Sequence, residues 1–266
     1  VPAVAVASQK GGVGKTTVAL NLAHAWARRG LSVALVDVDP QGAIGLSLSQ
    51  RLSQGPGLVD WLAGRPLRPL LVQTRLPTLS LLPAGRIPAT EGQRFLARLE
   101  DGRTLQRLLG ELSNFDLVLF DTPSGFVGAT LGALRASRWM LTPVQAEPIS
   151  ARTLMRTVEM VGALRREGAA VELLGILMTM VQRSDAASSA IAEDLQRTVP
   201  RHLLLESRIP RDPLLLEASN AGVPVGLLRK HPPPVALAFD QLAAELEERM
   251  GLRGKEGEHA PVTLVD

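Results

Sequence analysis

The sequence predicts an α/β fold, a single doubly wound and mostly parallel sheet flanked by helices. Three observations point there. Short, continuous aliphatic runs recur along the 266 residues, as strands buried on both faces of a parallel sheet require. Stretches with apolar residues at helical spacing separate these runs, giving the alternation of βα units. The first run also passes through a glycine-rich turn straight into a helical stretch, the kind of junction where open α/β sheets collect ligands.

Ala3 to Ser8 is the first apolar run, and the helical stretch from Lys15 to Arg29 follows with Val18, Leu22 and Trp26 on one face before Gly30. Val33 to Val38 is a β-branched and aliphatic strand that stops at Asp39-Pro40. Leu79 to Leu82, Leu117 to Phe120, Trp139 to Val144, Val171 to Met178 and Leu203 to Ile209 read as further strands. Helices are expected over Thr90 to Leu109, Phe126 to Ala136, Ser150 to Glu167, Ala186 to Val199 and Val235 to Met250. Residues 51–77, rich in Pro, Gly and Arg, form the expected irregular insertion, with one short helix around Leu58 to Leu62. Residues 1–250 therefore read as one domain and residues 251–266 as a loose tail.

Composition narrows the chemistry. The chain is 45% hydrophobic and 21% charged, which excludes a largely disordered protein. It has no cysteine and no tyrosine, so thiolate metal sites, iron–sulfur clusters, disulfides and cysteine nucleophiles are excluded. The formal charge is +3 although the pI is about 9.9. With four lysines, no Tyr and no Cys, few groups titrate between histidine and arginine, so a small excess of charge moves the pI far upward. No run approaches the roughly 18 apolar residues of a membrane span, and the N-terminus lacks a signal-peptide layout. The expected location is cytoplasmic.

Lys10-Gly11-Gly12-Val13-Gly14-Lys15-Thr16-Thr17 lies between the first strand and the first helix, the context of a phosphate-binding loop. Glycines let successive backbone N–H groups turn onto phosphate oxygens, and the helix N-terminus adds partial positive charge at the same point. Lys15 is expected to reach the β and γ phosphates, and Thr16 to hold Mg²⁺ through its hydroxyl. Asp121, at the C-terminal end of a hydrophobic strand, fits the carboxylate on the metal side. Asp39 is a candidate for the site, with capping of the turn that follows as its alternative, and Asp37 is open equally to either role. Gln9 stands where the usual first glycine of such a loop falls.

Two lysines bracketing Gly-Gly-Val-Gly resemble the deviant Walker A loop of the ParA/MinD family of ATPases. Asp37-Val38-Asp39-Pro40-Gln41-Gly42 is similar to the family's switch I, and Phe115 to Asp121 with Thr122-Pro123 to its Walker B and switch II. Pro143 to Glu147, Gly175 to Met180 and Ile209-Pro210-Arg211 also match, nearest to the partition ParA (Soj-like) branch. The resemblance covers the chain to about Met250. It implies a Mg²⁺-dependent, slow ATP hydrolase in which Lys10 reaches across an ATP-dependent homodimer and Asp39 positions the attacking water. Gly11, Gly12, Val13, Gly14, Lys15, Thr16 and Thr17 would hold phosphates, with Thr179, Pro210 and Arg211 on the adenine side.

The same resemblance implies nonspecific binding to DNA, a nucleoid-associated location and a ParB-like stimulating partner in chromosome or plasmid partition. Phosphate contacts would fall to Arg183, Arg197, Arg201, Arg208, Arg211, Arg229 and Lys230. The chain departs from the family at two usually basic places, where it has Leu214 and the stretch His231-Pro232-Pro233-Pro234-Val235. Residues 51–107 hold nine arginines against four acids, a second basic region. A MinD-like membrane role needs a basic amphipathic C-terminal helix, whereas the last helix sets Leu242 and Leu246 beside Asp240, Glu245, Glu247 and Glu248. Related folds that carry a cluster need cysteines, and the tyrosine-kinase relatives need a tyrosine tail. A positioning ATPase for protein clusters, or a small-molecule ligase on the same scaffold, remains open on sequence alone.

Overall fold

The computed structural model describes residues 1–48, 52, 54–145, 150–182, 197 and 199–252. Eight strands form one sheet in the order β3-β4-β2-β5-β1-β6-β7-β8. They are β1 (Ala3–Val6), β2 (Val33–Asp37), β3 (Val72–Gln73), β4 (Leu79–Leu82), β5 (Leu117–Asp121), β6 (Trp139–Gln145), β7 (Glu172–Val181) and β8 (Leu204–Pro210). Every pairing is parallel except that of the short edge strand β3 with β4.

Side chains alternate across this sheet because successive strand residues point to opposite faces. Val4 and Val6 of β1, Val33 and Leu35 of β2, and Leu117 and Leu119 of β5 join a core under α1 (Lys15–Arg28) and the long C-terminal helix α9 (Pro234–Met250). Ala3 and Ala5, Ala34 and Val36, and Val118 and Phe120 join the opposite core, with Phe95, Leu99, Leu105, Leu108 and Leu134. Burial on both faces explains why the strands read as unbroken apolar runs. Trp26 of α1 is fully buried, and its indole N–H donates to the Ala243 carbonyl at 3.2 Å, tying α1 to α9.

Several expected elements change shape. The helix expected over Thr90 to Leu109 is two helices, α4 (Gly92–Leu99) and α5 (Arg103–Glu111), preceded by a 3₁₀ turn at Ala89–Glu91. The break falls at Gly102, which takes a left-handed φ of 77°. The apolar spacing carries through because both helices bury the same face. The helix expected from Phe126 starts three residues later, as α6 (Ala129–Ala136), since Gly128 ends a left-handed loop. The short helix at Leu58–Leu62 (α3) is where the sequence puts it, and Ser150–Arg166 forms α7.

Three elements had no sequence expectation: α2 (Ala43–Leu48), β3, and α8 (Pro213–Ala221). α8 carries clear end signals. The Asp212 carboxylate accepts from Leu214 N at 2.9 Å, Pro213 opens the first turn and Gly222 closes the helix at φ 69°, as helix caps do. Most of the helix expected at Ala186 to Val199 and nearly all of the expected tail lie outside the described residues.

Candidate nucleotide site

The strands β1, β2 and β5 end on one edge of the sheet, and the loop Ser8–Gly14 leaves β1 there to enter α1. Gly12 and Gly14 have φ values of 76° and 86°, a backbone available without strain only to glycine. The first turn of α1 contains no acidic residue, so its positive end faces the loop uncompensated. Val13 and Lys15 are buried, whereas Lys10, Gly11 and Gly12 are exposed. One loop thus presents two lysines in different settings.

Lys15 Nζ donates to Ser124 Oγ at 3.0 Å, a contact across 109 residues. Burial lowers the pKa of Lys15, and the carboxylates of Asp121 and Asp39 oppose that shift. Around it the loop after β5 is tied to β1 and to the phosphate loop. Gly125 N donates to Ser8 O at 3.1 Å, and the Thr122 hydroxyl to Val6 O at 2.8 Å. The Thr130 hydroxyl reaches back from α6 to the Pro123 carbonyl at 3.1 Å.

Asp37 and Asp121 are register partners on β2 and β5, both fully buried. Asp37 has found partners: Oδ1 accepts from Asp39 N at 3.0 Å and Oδ2 from Ile44 N at 3.1 Å. It caps the turn, the structural option of the two its position offered. Burial, with Asp121 beside it, pushes its pKa well above the usual carboxylate range. Asp39 Oδ1 accepts from Gln41 N at 2.9 Å, and its half-buried carboxylate lies close enough to Lys15 and Asp121 to act on both.

Neither oxygen of Asp121 has a hydrogen-bond partner. Burial pushes its pKa up to about 7, while the neighbouring Thr16 hydroxyl and Lys15 ammonium act against that rise. A buried carboxylate without partners is costly unless a cation or proton meets it. That fits Mg²⁺ beside a phosphate chain, since this ion keeps several waters and takes few protein oxygens. No group of three or more metal-ligating side chains occurs among the described residues. Thr16 and Asp121, neighbours at the start of α1 and the end of β5, are the residues that would hold it, with the phosphates supplying the remaining charge.

On the other side of the loop, the Thr179 hydroxyl donates to Val13 O at 2.9 Å, and Arg211 N donates to Val181 O at 3.1 Å. Thr179, expected on the adenine side, thus braces the phosphate loop with its hydroxyl. Pro210 pairs with Val181 where β7 and β8 end, so Thr179, Pro210 and Arg211 do gather at this edge. Sequence reasoning missed Ser124, for which no motif position gave a signal.

Of the basic residues proposed for DNA, Arg201 and Arg211 flank opposite ends of β8. Arg197, Arg201, Arg208, Arg211, Arg229 and Lys230 are all exposed, and Arg183 lies outside the described residues, as do Ala146 and Glu147. Arg211 follows β8 at the nucleotide edge, while Arg201 precedes that seven-residue strand, roughly 20 Å away. Arg229 is paired with Glu217 at 2.6 Å. Leu214 is half-buried against the α1 core, so that departure from the family pattern serves packing.

A phosphate-binding loop between β1 and α1, with acidic residues on the two adjoining strand ends, defines a P-loop nucleotide-binding protein. The chain belongs to the CobQ/CobB/MinD/ParA nucleotide-binding family, whose domain matches residues 4–225. It is 35% identical over 255 residues to the chromosome-partitioning ATPase Soj of Thermus thermophilus, covering 93% of this chain and 96% of that protein. It is 34% identical over 237 residues to the chromosome partitioning protein ParA of Caulobacter vibrioides, covering 84% and 85%. Among solved structures, cobyrinic acid a,c-diamide synthase from Mycobacterium smegmatis with bound ADP and magnesium matches with a TM-score of 0.75 at 27% identity. That match covers 95% of this chain and 97% of the other.

Proposed function

We propose that this chain is a partition-type ATPase that cycles between monomer and an ATP-bound sandwich dimer, binds DNA nonspecifically as the dimer, and is stimulated by a ParB-like partner. The observation that carries this reading is the division of labour between its two loop lysines. Lys15 is buried and held beside Asp121 and Ser124, as a phosphate ligand in its own subunit must be. Lys10 is exposed, and in the proposed dimer it would reach phosphates bound by the second copy.

Catalysis would follow from positioning and charge neutralisation, the main contributions to phosphoryl transfer. The loop amides and Lys15 would neutralise the β and γ phosphates, Thr16 and Asp121 would hold Mg²⁺, and Asp39 would orient the attacking water. Asp39 is suited to this because its turn is fixed by Asp37 while its own carboxylate stays half-exposed near Lys15 and Asp121. The partition assignment draws on the relatives, which are named chromosome-partitioning proteins.

A membrane-surface role is disfavoured by α9. Phe239, Leu242 and Leu246 are buried in the α1 core, and Glu247 forms a bidentate ion pair with Arg29. No helix among the described residues is long and apolar enough to cross a membrane. A second reading, action on a protein scaffold, is favoured by the Arg229–Glu217 pair and the half-buried Leu214, which both reduce the basic face. The test is a mobility shift of long duplex DNA at low salt with wild-type protein in ATP, in ADP and without nucleotide. A shift only in ATP supports partition. No shift in any state, with dimers present in ATP, assigns the chain to the scaffold reading.

A further inference from the structure

We propose that the cavity between α3 and α4 is a docking site for a protein partner, and that it takes one large apolar side chain from a segment in which carboxylates flank that residue. No residue of the phosphate loop lines it, and the proposal does not rest on the nucleotide reading. The cavity holds about 200 Å³, less than the ~300–1,000 Å³ of pockets that enclose a cofactor or a drug-sized ligand. That volume suits a single side chain. The bottom is apolar, with Leu62 and Phe95 buried and Val59 and Ile87 half-buried, and the mouth is charged, with Arg94, Arg98 and Glu91 exposed.

The walls are tied together before anything binds. Leu58 N donates to Pro83 O at 2.8 Å and Val59 N to Ala84 O at 3.0 Å, which pins the start of α3 to the chain leaving β4. Arg107 stacks over the Trp61 ring at 4.4 Å, and the Trp61 indole N–H donates to Glu111 Oε1 at 3.2 Å, so α3 is also clamped to α5. Arg98 Nη2 donates to the Leu62 carbonyl at 2.7 Å, bridging α4 to the last turn of α3. A site held in this way loses little freedom on binding. Charge then selects the occupant. Arg94 stands one turn before Arg98 on α4 and forms no ion pair among the described residues. Two guanidinium groups against one glutamate make the mouth positive, and a guanidinium fork matches a carboxylate with two parallel hydrogen bonds. A DNA phosphate would meet the mouth alone and leave the apolar bottom empty. An apolar residue beside Asp or Glu fills both. A Cβ on Gly92, the first residue of α4, would lie 3.9 Å from Pro40 Cβ, so a partner held here stands beside the loop that carries Asp39.

The experiment is fluorescence polarisation of the full chain, without nucleotide, against short labelled peptides of one frame. A central Phe stands between pairs of Asp, of Asn or of Lys, and an Asp-flanked peptide with a central Ser is the control. Wild type is compared with Arg94→Glu and with Ala63→Trp, which fills the cavity from an exposed position on its wall, each variant checked by thermal melting. The Asp-flanked Phe peptide should bind wild type about tenfold or more tightly than the Asn-flanked and Ser-centred peptides, and each variant should lose about tenfold for it. Arg94→Glu should in turn bind the Lys-flanked peptide better than wild type does. No binding of the Asp-flanked Phe peptide up to ~1 mM, or binding that ignores the flanking charge or the Ala63→Trp change, would overturn the proposal. Flotation with phosphatidylglycerol vesicles tests the other source of anions beside apolar groups. Arg94-dependent vesicle binding without peptide binding would overturn the protein partner and assign the cavity to a membrane surface.

Discussion

Asp37 and Asp121 stand side by side at the ends of β2 and β5, both fully buried, yet only Asp37 has hydrogen-bond partners. The pair divides two tasks that one carboxylate could not perform together. Asp37 binds backbone amides and sets the shape of the following loop, whereas both Asp121 oxygens are left without a partner, as the proposed cation would require. Asp37→Asn keeps the size but offers one acceptor oxygen in place of two, so one of Asp39 N and Ile44 N loses its acceptor. Turnover measured by phosphate release should fall about tenfold or more, with ATP affinity within about threefold, because the phosphates are held elsewhere. A variant with wild-type turnover would show that the turn does not depend on this cap.

Lys10→Ala and Asp39→Ala should separate assembly from chemistry. The first should bind ATP with near wild-type affinity and remain monomeric by light scattering. The second should form dimers and hold them, since nothing orients water for hydrolysis. Equal dimer content in the two variants would reject the sandwich arrangement.

DNA affinity should fall steeply with salt and not depend on sequence. Replacing Arg211, Arg229 and Lys230 together with alanine should flatten the slope of log affinity against log salt. The Glu217 partner already neutralises Arg229, so the expected decrease is about two units rather than three. An unchanged slope would place the phosphate contacts elsewhere, with the arginines of residues 51–107 the next region to test.

His24, buried in α1, supplies a pH dependence. Burial, with the neighbouring Arg28, pushes its pKa down from 6.5 to about 4. A base with a depressed folded pKa contributes stability that is present above the unfolded pKa and lost as pH falls through the folded one. Wild type should therefore lose up to ~3 kcal/mol between pH 6.5 and 4 from this group. Asp121, raised to about 7, acts oppositely: its contribution is present below the unfolded pKa near 3.8 and disappears as pH rises through 7. Urea unfolding of His24→Gln without nucleotide should remove only the first effect, leaving the variant less sensitive to acid than wild type between pH 6.5 and 4.

Gly132 lies where α6 crosses the end of α4, and a methyl group there would come within 1.7 Å of the Leu99 carbonyl oxygen. No rotamer relieves a clash with backbone. Despite the higher helix propensity of alanine, Gly132→Ala should lower stability by ~2 kcal/mol or more, read as a lower urea midpoint. A neutral or stabilising result would mean that α4 and α6 separate at little cost.

The phosphate loop, the strand ends that carry Asp37, Asp39 and Asp121, and seven of the eight strands could be read from sequence because each rests on local spacing or an unbroken apolar run. The break between α4 and α5 could not, since their shared buried face keeps the helical spacing continuous through Glu100 and Asp101. α8 was hidden for the opposite reason. Leu214, Leu215 and Leu216 are consecutive, which gives no helical period, and only the Asp212-Pro213 and Gly222 ends signal it. Ser124 depends on a contact between residues 109 positions apart, and only the folded sheet brings them together.

The two sides of the sheet are closed by different means. At one, β3 offers two residues of backbone. At the other, the Glu245 carboxylate accepts from Glu206 N and Ser207 N of β8 at 2.9 Å each, and Arg249 donates to the Leu174, His202 and Leu204 carbonyls. α9 therefore occupies with side chains the backbone groups on which another strand would zip. A strand adding at this edge would have to displace Glu245 from Glu206 N and Ser207 N and Arg249 from Leu204 O.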